Sequence, residues 1–362
     1  MAIPQGDSKM GFAIWADDYM QGAYNHYGIH ETLLYVDGQM VFHSVVDNIP
    51  VSMNRMVNSW GYYDYWARHR RWFMKSFKDP GNTLSCLQTD ENRGIIDFSE
   101  PRDYHLEYVL RDFKGNETRR PFTVTGGPSV SVPSAVLLSP YAAFSSSSAA
   151  LSSPYAATSS QPYILRWNRT TAISRPGLQL IIPYGSIAAD APIHPVVTHR
   201  SDAWSDACQF STSSLPLMHE AELTLYANPP FTTFDPSKLY ITDENARYLG
   251  GDFHDGWVTG HIRELSSRYE VAYDDQPPTV NPITLTGDIL RLSVTDGKSG
   301  IAKWTATIDD RFIVFDAIEK SATYACILRE SWLRRSGTQH RLHFEVTDHR
   351  QNTSVFDTTF EY

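Results

Sequence analysis

The chain has 362 residues and a mass of 41.0 kDa, enough for two or three units that each bury a core. Its 31 Lys plus Arg against 41 Asp plus Glu give a formal charge of −10, and no basic run exceeds Arg68-His69-Arg70-Arg71, which excludes nucleic acid as the main partner. Aromatic residues make up 13% of the chain, and 21 Gly and 21 Pro separate short apolar runs, so many short strands are expected rather than long helices.

In chain order, the first predicted unit spans residues 6–127. It opens with a strand through Phe12, Ile14 and Ala16 to Asp18, and closes with one from Tyr104 to Asp112. Within it, Asn54 to Phe77 places Trp60, Tyr63, Ala67, Met74 and Phe77 near helical spacing, so a short helical insertion is expected despite Gly61. Residues 128–162 are rich in Ser, Ala and Pro and carry no charge, which predicts a linker or surface segment. A second unit, 163–276, has strand-like runs at Leu178–Pro183, Ala221–Tyr226, Lys238–Ile241 and Tyr269–Tyr273. Pro277-Pro278 then marks a boundary, and a third unit covers 277–362. The fold expected is mainly β, with tandem immunoglobulin-like β-sandwich domains.

One frame recurs. His340 to Asp348 followed by Asn352 aligns with Tyr104 to Asp112 followed by Asn116: apolar residues at every second position, then Asp, then Asn four residues on. Leu290, Leu292, Val294, Asp296 and Gly300 repeat it, and Phe12, Ile14, Ala16, Asp18 and Gly22 do so more loosely. Alternation describes a half-buried strand, and an Asp before Gly or Asn describes the turn that ends it, with the carboxylate accepting turn amides. Asp18, Asp112, Asn116, Asp296, Asp348 and Asn352 are therefore read as structural turn residues.

The segment Leu342-His343-Phe344-Glu345-Val346 looks like the strand that closes the zinc site of lysostaphin-type murein endopeptidases, and His43-Ser44-Val45-Val46-Asp47 satisfies the H-x-x-x-D pattern of the same site. A hydrolytic zinc needs about three protein ligands and an open position for water. Here Arg341 stands where the other His of H-x-H is required, and a permanent cation cannot serve as a neutral base. Asp47 also precedes His343 by 343 − 47 = 296 residues, far more than one small catalytic domain contains. His340, three residues from His343, falls on the opposite face of a strand. Both segments read as ordinary strands.

Several other segments carry a resemblance. Gly11 to Asp18, Asn25 to Ile29, Leu34 to Gly38, Arg55 to Asn58, Asp79 to Leu84 and Asp112 to Asn116 resemble the region after the catalytic domain in lysostaphin-type (LytM-like) murein metallopeptidases of Bacteroidota. Lys238 to Ile241, Asp255 to Trp257, Asp275 to Pro278 and Asp296 to Ile301 look like the rest of that tail. The likeness covers most of the chain outside the Ser/Ala-rich stretch. It implies a periplasmic or envelope location and a murein-related role, with an envelope protein or peptidoglycan as partner. The catalytic domain of that family has no counterpart in these residues, so the resemblance implies no catalysis. Met1 to Gly6 lacks the features of a secretory signal, and no stretch approaches the length of a membrane-spanning helix.

The aromatic and basic stretch with Trp60, Tyr63, Trp66, Arg70 and Trp72 is the candidate surface for a glycan or a partner, since flat rings and guanidinium forks suit sugars and anionic groups; the alternative is a helix burying one face against a sheet. The pairs Asp17-Asp18, Asp274-Asp275 and Asp309-Asp310 fit turns better than catalytic carboxylates, because neighbours on a strand point to opposite faces. Oxygen ligands at the Asp296 to Gly300 or Asp17-Asp18 turns suit calcium, but each turn supplies too few carboxylates by itself. No catalytic residue, cofactor or metal is assigned. The three cysteines, Cys86, Cys208 and Cys326, are expected one per unit and unpaired. The leading expectation is a non-catalytic envelope scaffold; a glycan-binding module and a hydrolase with an unrecognised site are the alternatives.

Overall fold

The computed structural model describes residues 8–19, 24–127, 162–230 and 232–362; the Ser/Ala/Pro-rich stretch lies, but for its last residue, outside them. The chain is mainly β, and its apolar side chains gather into three clusters, within residues 10–124, 165–273 and 280–362. Cys86, Cys208 and Cys326 are free thiols, one against each cluster.

The first cluster sits under one five-stranded antiparallel sheet, in the order Glu117–Thr125, Asp103–Arg111, Glu31–Val36, Gln39–Val45 and Leu87–Thr89. Tyr104, Leu106 and Tyr108 point inward at alternate positions, as their spacing predicts. The opposite wall is built from small ladders, Lys9–Met10 with Ile96–Asp97 and Ala13–Ile14 with Met74–Lys75, together with the helical insertion.

That insertion is more broken than the spacing from Asn54 to Phe77 predicts. It consists of a 3-10 turn, Val51–Met56, a helix α1, Val57–Trp60, and a helix α2, Tyr63–His69. Gly61 leaves helical geometry at φ −96°, ψ 168°, and a β-carbon there would lie 2.3 Å from Cζ2 of Trp72. The returning Trp72 ring thus occupies the space a continuous helix would need. Arg70 ends α2 in the left-handed conformation, φ 57°, and Met74–Lys75 is already strand.

The second cluster lies between a five-stranded sheet, ordered Thr171–Arg175, Leu178–Ile182, Pro216–Tyr226, Trp257–Glu264 and Asp252–His254, and a four-stranded sheet, ordered Val196–Thr198, Ala207–Gln209, Tyr269–Tyr273 and Leu239–Asp243. The third lies between two four-stranded sheets: Thr279–Thr284, Ile289–Thr295, Thr323–Ile327 and Asp316–Ala317 in one, Arg311–Phe312, Ile301–Ile308, Gln339–Asp348 and Thr353–Glu361 in the other. Leu342, Phe344 and Val346 are fully buried while Arg341, His343 and Glu345 face outward, the two-residue period of a sandwich strand.

Polar contacts join these bodies. Arg55 Nε donates to the Leu217 carbonyl at 3.1 Å, the Gly81 amide to Ala188 O at 2.7 Å, and the Ser214 amide to Asp64 Oδ1 at 2.8 Å. On the other side, Arg350 reaches the carbonyls of Leu239 and Gly251. Among the described residues no helix is long and apolar enough to cross a membrane.

Candidate functional site

The residues that match the zinc pattern are held apart and engaged elsewhere. His43 lies on the Gln39–Val45 strand, where its Nε2 shares a 2.7 Å hydrogen bond with Glu31 Oε1. It belongs to an ion-pair ladder on the outer face of the first sheet: Arg111 bridges Glu31 and Glu117, and Arg119 bridges Glu117 and Glu107, at 2.6 to 2.9 Å. Burial alone would raise the Glu31 carboxyl, but hydrogen bonds from Arg111 and His43 outweigh it and hold the group below the usual range. Asp47 pairs with His30 at 2.6 Å. His343 sits in a different sheet, with Nδ1 2.8 Å from Asp357 Oδ1, and Arg341 pairs with Asp310. His340 turns to the other face and meets Asp309, as the strand period requires.

The aromatic stretch separates into buried and partly exposed parts. Trp60 is 5% exposed and its Nε1 donates to the Lys75 carbonyl at 3.1 Å, so its ring belongs to the core. Tyr63 faces the seam with residues 187–189, 214–216 and Met218, where burial and then the charge of Glu264 push its phenol up. Trp66, Arg70 and Trp72 stay together near the surface. The Arg70 guanidinium lies 5.1 Å from the Trp66 ring centre, and the Trp66 ring meets Trp72 edge-on at 6.1 Å. A second pair extends this surface: Arg71 lies 4.7 Å over Trp15, which is 43% exposed. Trp15 escaped the sequence reading because it lies 56 residues before Arg71, counting 71 − 15, and only the pairing of Ala13–Ile14 with Met74–Lys75 brings them together.

The recurring Asp frame is a real local structure. Asp112 Oδ1 accepts the Lys114 and Asn116 amides at 2.8 Å, and its Oδ2 accepts Asn116 Nδ2 at 2.6 Å. Asp348 repeats this with Arg350, at 2.7 Å, and Asn352, at 2.9 and 2.7 Å. Asp296 Oδ1 accepts the Lys298 and Gly300 amides at 2.9 and 2.8 Å. Asp18 accepts the Tyr19 amide at 2.8 Å, and the rest of its turn, 20–23, lies outside the described residues. Asp243 forms a further copy with Asn245 and Arg247 that the alignment missed, since its strand, Leu239–Asp243, is buried at every position and shows no alternation. Asp309 and Asp310 are the two corner residues of a hairpin, at φ 48° and 62°, which fits their reading as turn residues.

Two of these turns do more than end strands. Asp296 and Asp348 converge with Asp274, the residue after the Tyr269–Tyr273 strand, so that one carboxylate oxygen from each lies within 4.8 Å of the others. Asp274 and Asp348 are fully buried. The acidic turn judged too poor in carboxylates for a cation is therefore joined by two more from distant strands. Tyr240 lies near the same group; burial first, and then the charges of Asp274, Asp296 and Asp348, push its phenol upward. In the sequence Asp274 reads only as half of an acidic turn pair near a boundary, and nothing local signals its convergence with the other two.

Residues 162–274 match the model of the Zu5-like domain. No curated protein matches the chain. Among solved structures, the spore cortex lytic enzyme SleM of Clostridium perfringens aligns at 10% identity with a TM-score of 0.21, over 37% of this chain and 40% of the enzyme. The chain thus spans less than half the length of that enzyme.

Proposed function

We propose that this chain is a non-catalytic scaffold or binding region of a bacterial envelope protein, akin to the tail of the Bacteroidota LytM-like metallopeptidases, that positions a peptidoglycan hydrolase or another envelope assembly. The observation that carries the reading is the engagement of every residue matching the zinc pattern. His43 is tied into an ion-pair ladder, Asp47 to His30, and His343 to Asp357 on another sheet. What remains for function is surface: long sheet faces, turn-rich loops and the cation-on-aromatic pairs at Trp66 and Trp15. A murein-related partner follows from the ordered motif resemblance, and location in the envelope follows from the same likeness.

Zinc content and murein digestion by the same purified full chain test the reading. The expected result is neither stoichiometric zinc nor cleavage. Zinc with cleavage would overturn it and make His43, Asp47 and His343 the first ligands to replace.

A second reading, a glycan-binding module, is favoured by the partly exposed Trp66, Arg70 and Trp72 group. Sedimentation with purified murein separates the two: binding by the wild type that Trp66→Ala removes selects the glycan module, and absence of binding selects the protein scaffold.

A further inference from the structure

We infer that Asp274, Asp296 and Asp348, with the Ser299 hydroxyl, form a calcium site that locks the unit ending at Asp274 to the C-terminal sandwich. The three carboxylate oxygens lie within 4.8 Å of one another, about twice a calcium–oxygen bond of roughly 2.3–2.6 Å, so one ion between them reaches all three. Their charges are not neutralised by an ion pair among the described residues, although His349 and Arg350 lie near Asp348. Among the described residues no ion pair involves any of the three: Lys298 Nζ turns to Asp275, and the Arg350 guanidinium is spent on carbonyls and the Tyr248 hydroxyl. Their partners are neutral donors: the amides of Gln276, Lys298, Ser299, Gly300, Arg350 and Asn352, and Asn352 Nδ2. Such dipoles orient carboxylates but do not cancel three like charges held together, two of them fully buried.

An independent observation points to the same ligand. Ser299 is 1% exposed, its own amide binds Asp274 Oδ2 at 3.0 Å, and its Oγ is buried with no hydrogen-bond partner. A buried hydroxyl left unpaired costs stability unless something unseen satisfies it. A cation held by the adjacent carboxylate accounts for both the orphaned hydroxyl and the unanswered charge. The donors are all oxygen, two of the ligands come from turns and one from a strand end, and Asp296 is partly open to solvent, so water can complete the six to eight positions calcium takes. Magnesium, which keeps its waters and demands a tight octahedron, suits this mixture less well.

Ligands from both sides of Pro277-Pro278 make the ion a clasp. It would act beside Arg350 and Asn352, whose Nδ2 donates to the Asp274 carbonyl at 3.0 Å. The inference stands apart from the envelope role proposed above and concerns only the rigidity of this joint.

The test is calorimetric titration of the EGTA-stripped full chain with calcium chloride, paired with thermal unfolding. The expected result is one ion per chain and a rise in Tm of several degrees that magnesium at equal concentration does not reproduce. Asp296→Asn should weaken binding at least tenfold, and Ser299→Ala severalfold while leaving the calcium-free Tm unchanged or raised. No binding by the wild type at millimolar calcium overturns the inference, whatever the variants do. So does binding that Asp296→Asn leaves intact, which would place the ion elsewhere, and so does an equal response to magnesium.

Discussion

Arg350 Nη2 donates to the Tyr248 hydroxyl at 2.8 Å while its Nη1 reaches the carbonyls of Leu239 and Gly251, each at 2.8 Å, and the His349 ring stacks on Tyr248 at 4.3 Å. One guanidinium thus satisfies backbone oxygens of the middle body from a turn of the C-terminal one. Arg350→Ala leaves those carbonyls unpaired and is expected to cost about 2–4 kcal/mol, summed over hydrogen bonds to a charged donor. Arg350→Lys recovers less than half, because a compact ammonium cannot cover the same fork. Denaturant unfolding of the two variants checks both.

Asn116 and Asn352 occupy the same place in the same turn, yet their neighbours differ. Asn116 Nδ2 serves Asp112 alone at an exposed site, whereas Asn352 Nδ2 serves Asp348 and the Asp274 carbonyl in a buried one. Asn352→Ala is expected to cost about 2 kcal/mol and Asn116→Ala clearly less, since desolvation penalties apply only where water is excluded. Equal losses in parallel melts would contradict this account of the joint.

Gly61 admits no side chain, because its β-carbon would sit 2.3 Å from the Trp72 ring. Gly61→Ala should destabilise by about 1–3 kcal/mol through overpacking. A double variant that also carries Trp72→Leu should show less than the sum of the single losses, measurable as a coupling in a mutant cycle.

Partial burial would raise the Glu31 carboxyl, but hydrogen bonds from Arg111 and His43 hold it below its ordinary value of 4.5. A depressed carboxyl contributes stability that is present above the unfolded value and lost as pH falls through the folded one. The wild type should therefore lose stability below about pH 4.5, and Glu31→Gln should flatten that fall while changing neutral stability by only about 1 kcal/mol, as befits a solvent-screened ladder. Urea midpoints across the acid range provide the measurement. An unchanged slope in the variant would assign the acid sensitivity to other carboxylates.

Much of the fold was legible along the chain because its causes are local. The period of two at Leu342, Phe344 and Val346 is a property of strand geometry, and the Asp112 and Asp348 turns close within five residues, so composition and spacing suffice to find them. The helical insertion was visible in kind but not in length: the spacing from Trp60 to Phe77 is continuous, while its interruption at Gly61 depends on a ring that returns from Trp72. The division between Trp60 inside and Trp66 only partly covered could not be read either, since both are Trp in one aromatic run and only the packed sheet determines which face is covered. The same holds most strongly for Asp274, Asp296 and Asp348. Each is an ordinary turn or boundary residue to its neighbours in sequence, and their convergence arises from the docking of two β bodies whose contacts span tens of residues. Local hydrogen bonding is written in adjacent residues; the meeting of distant charges is set by how the sheets pack.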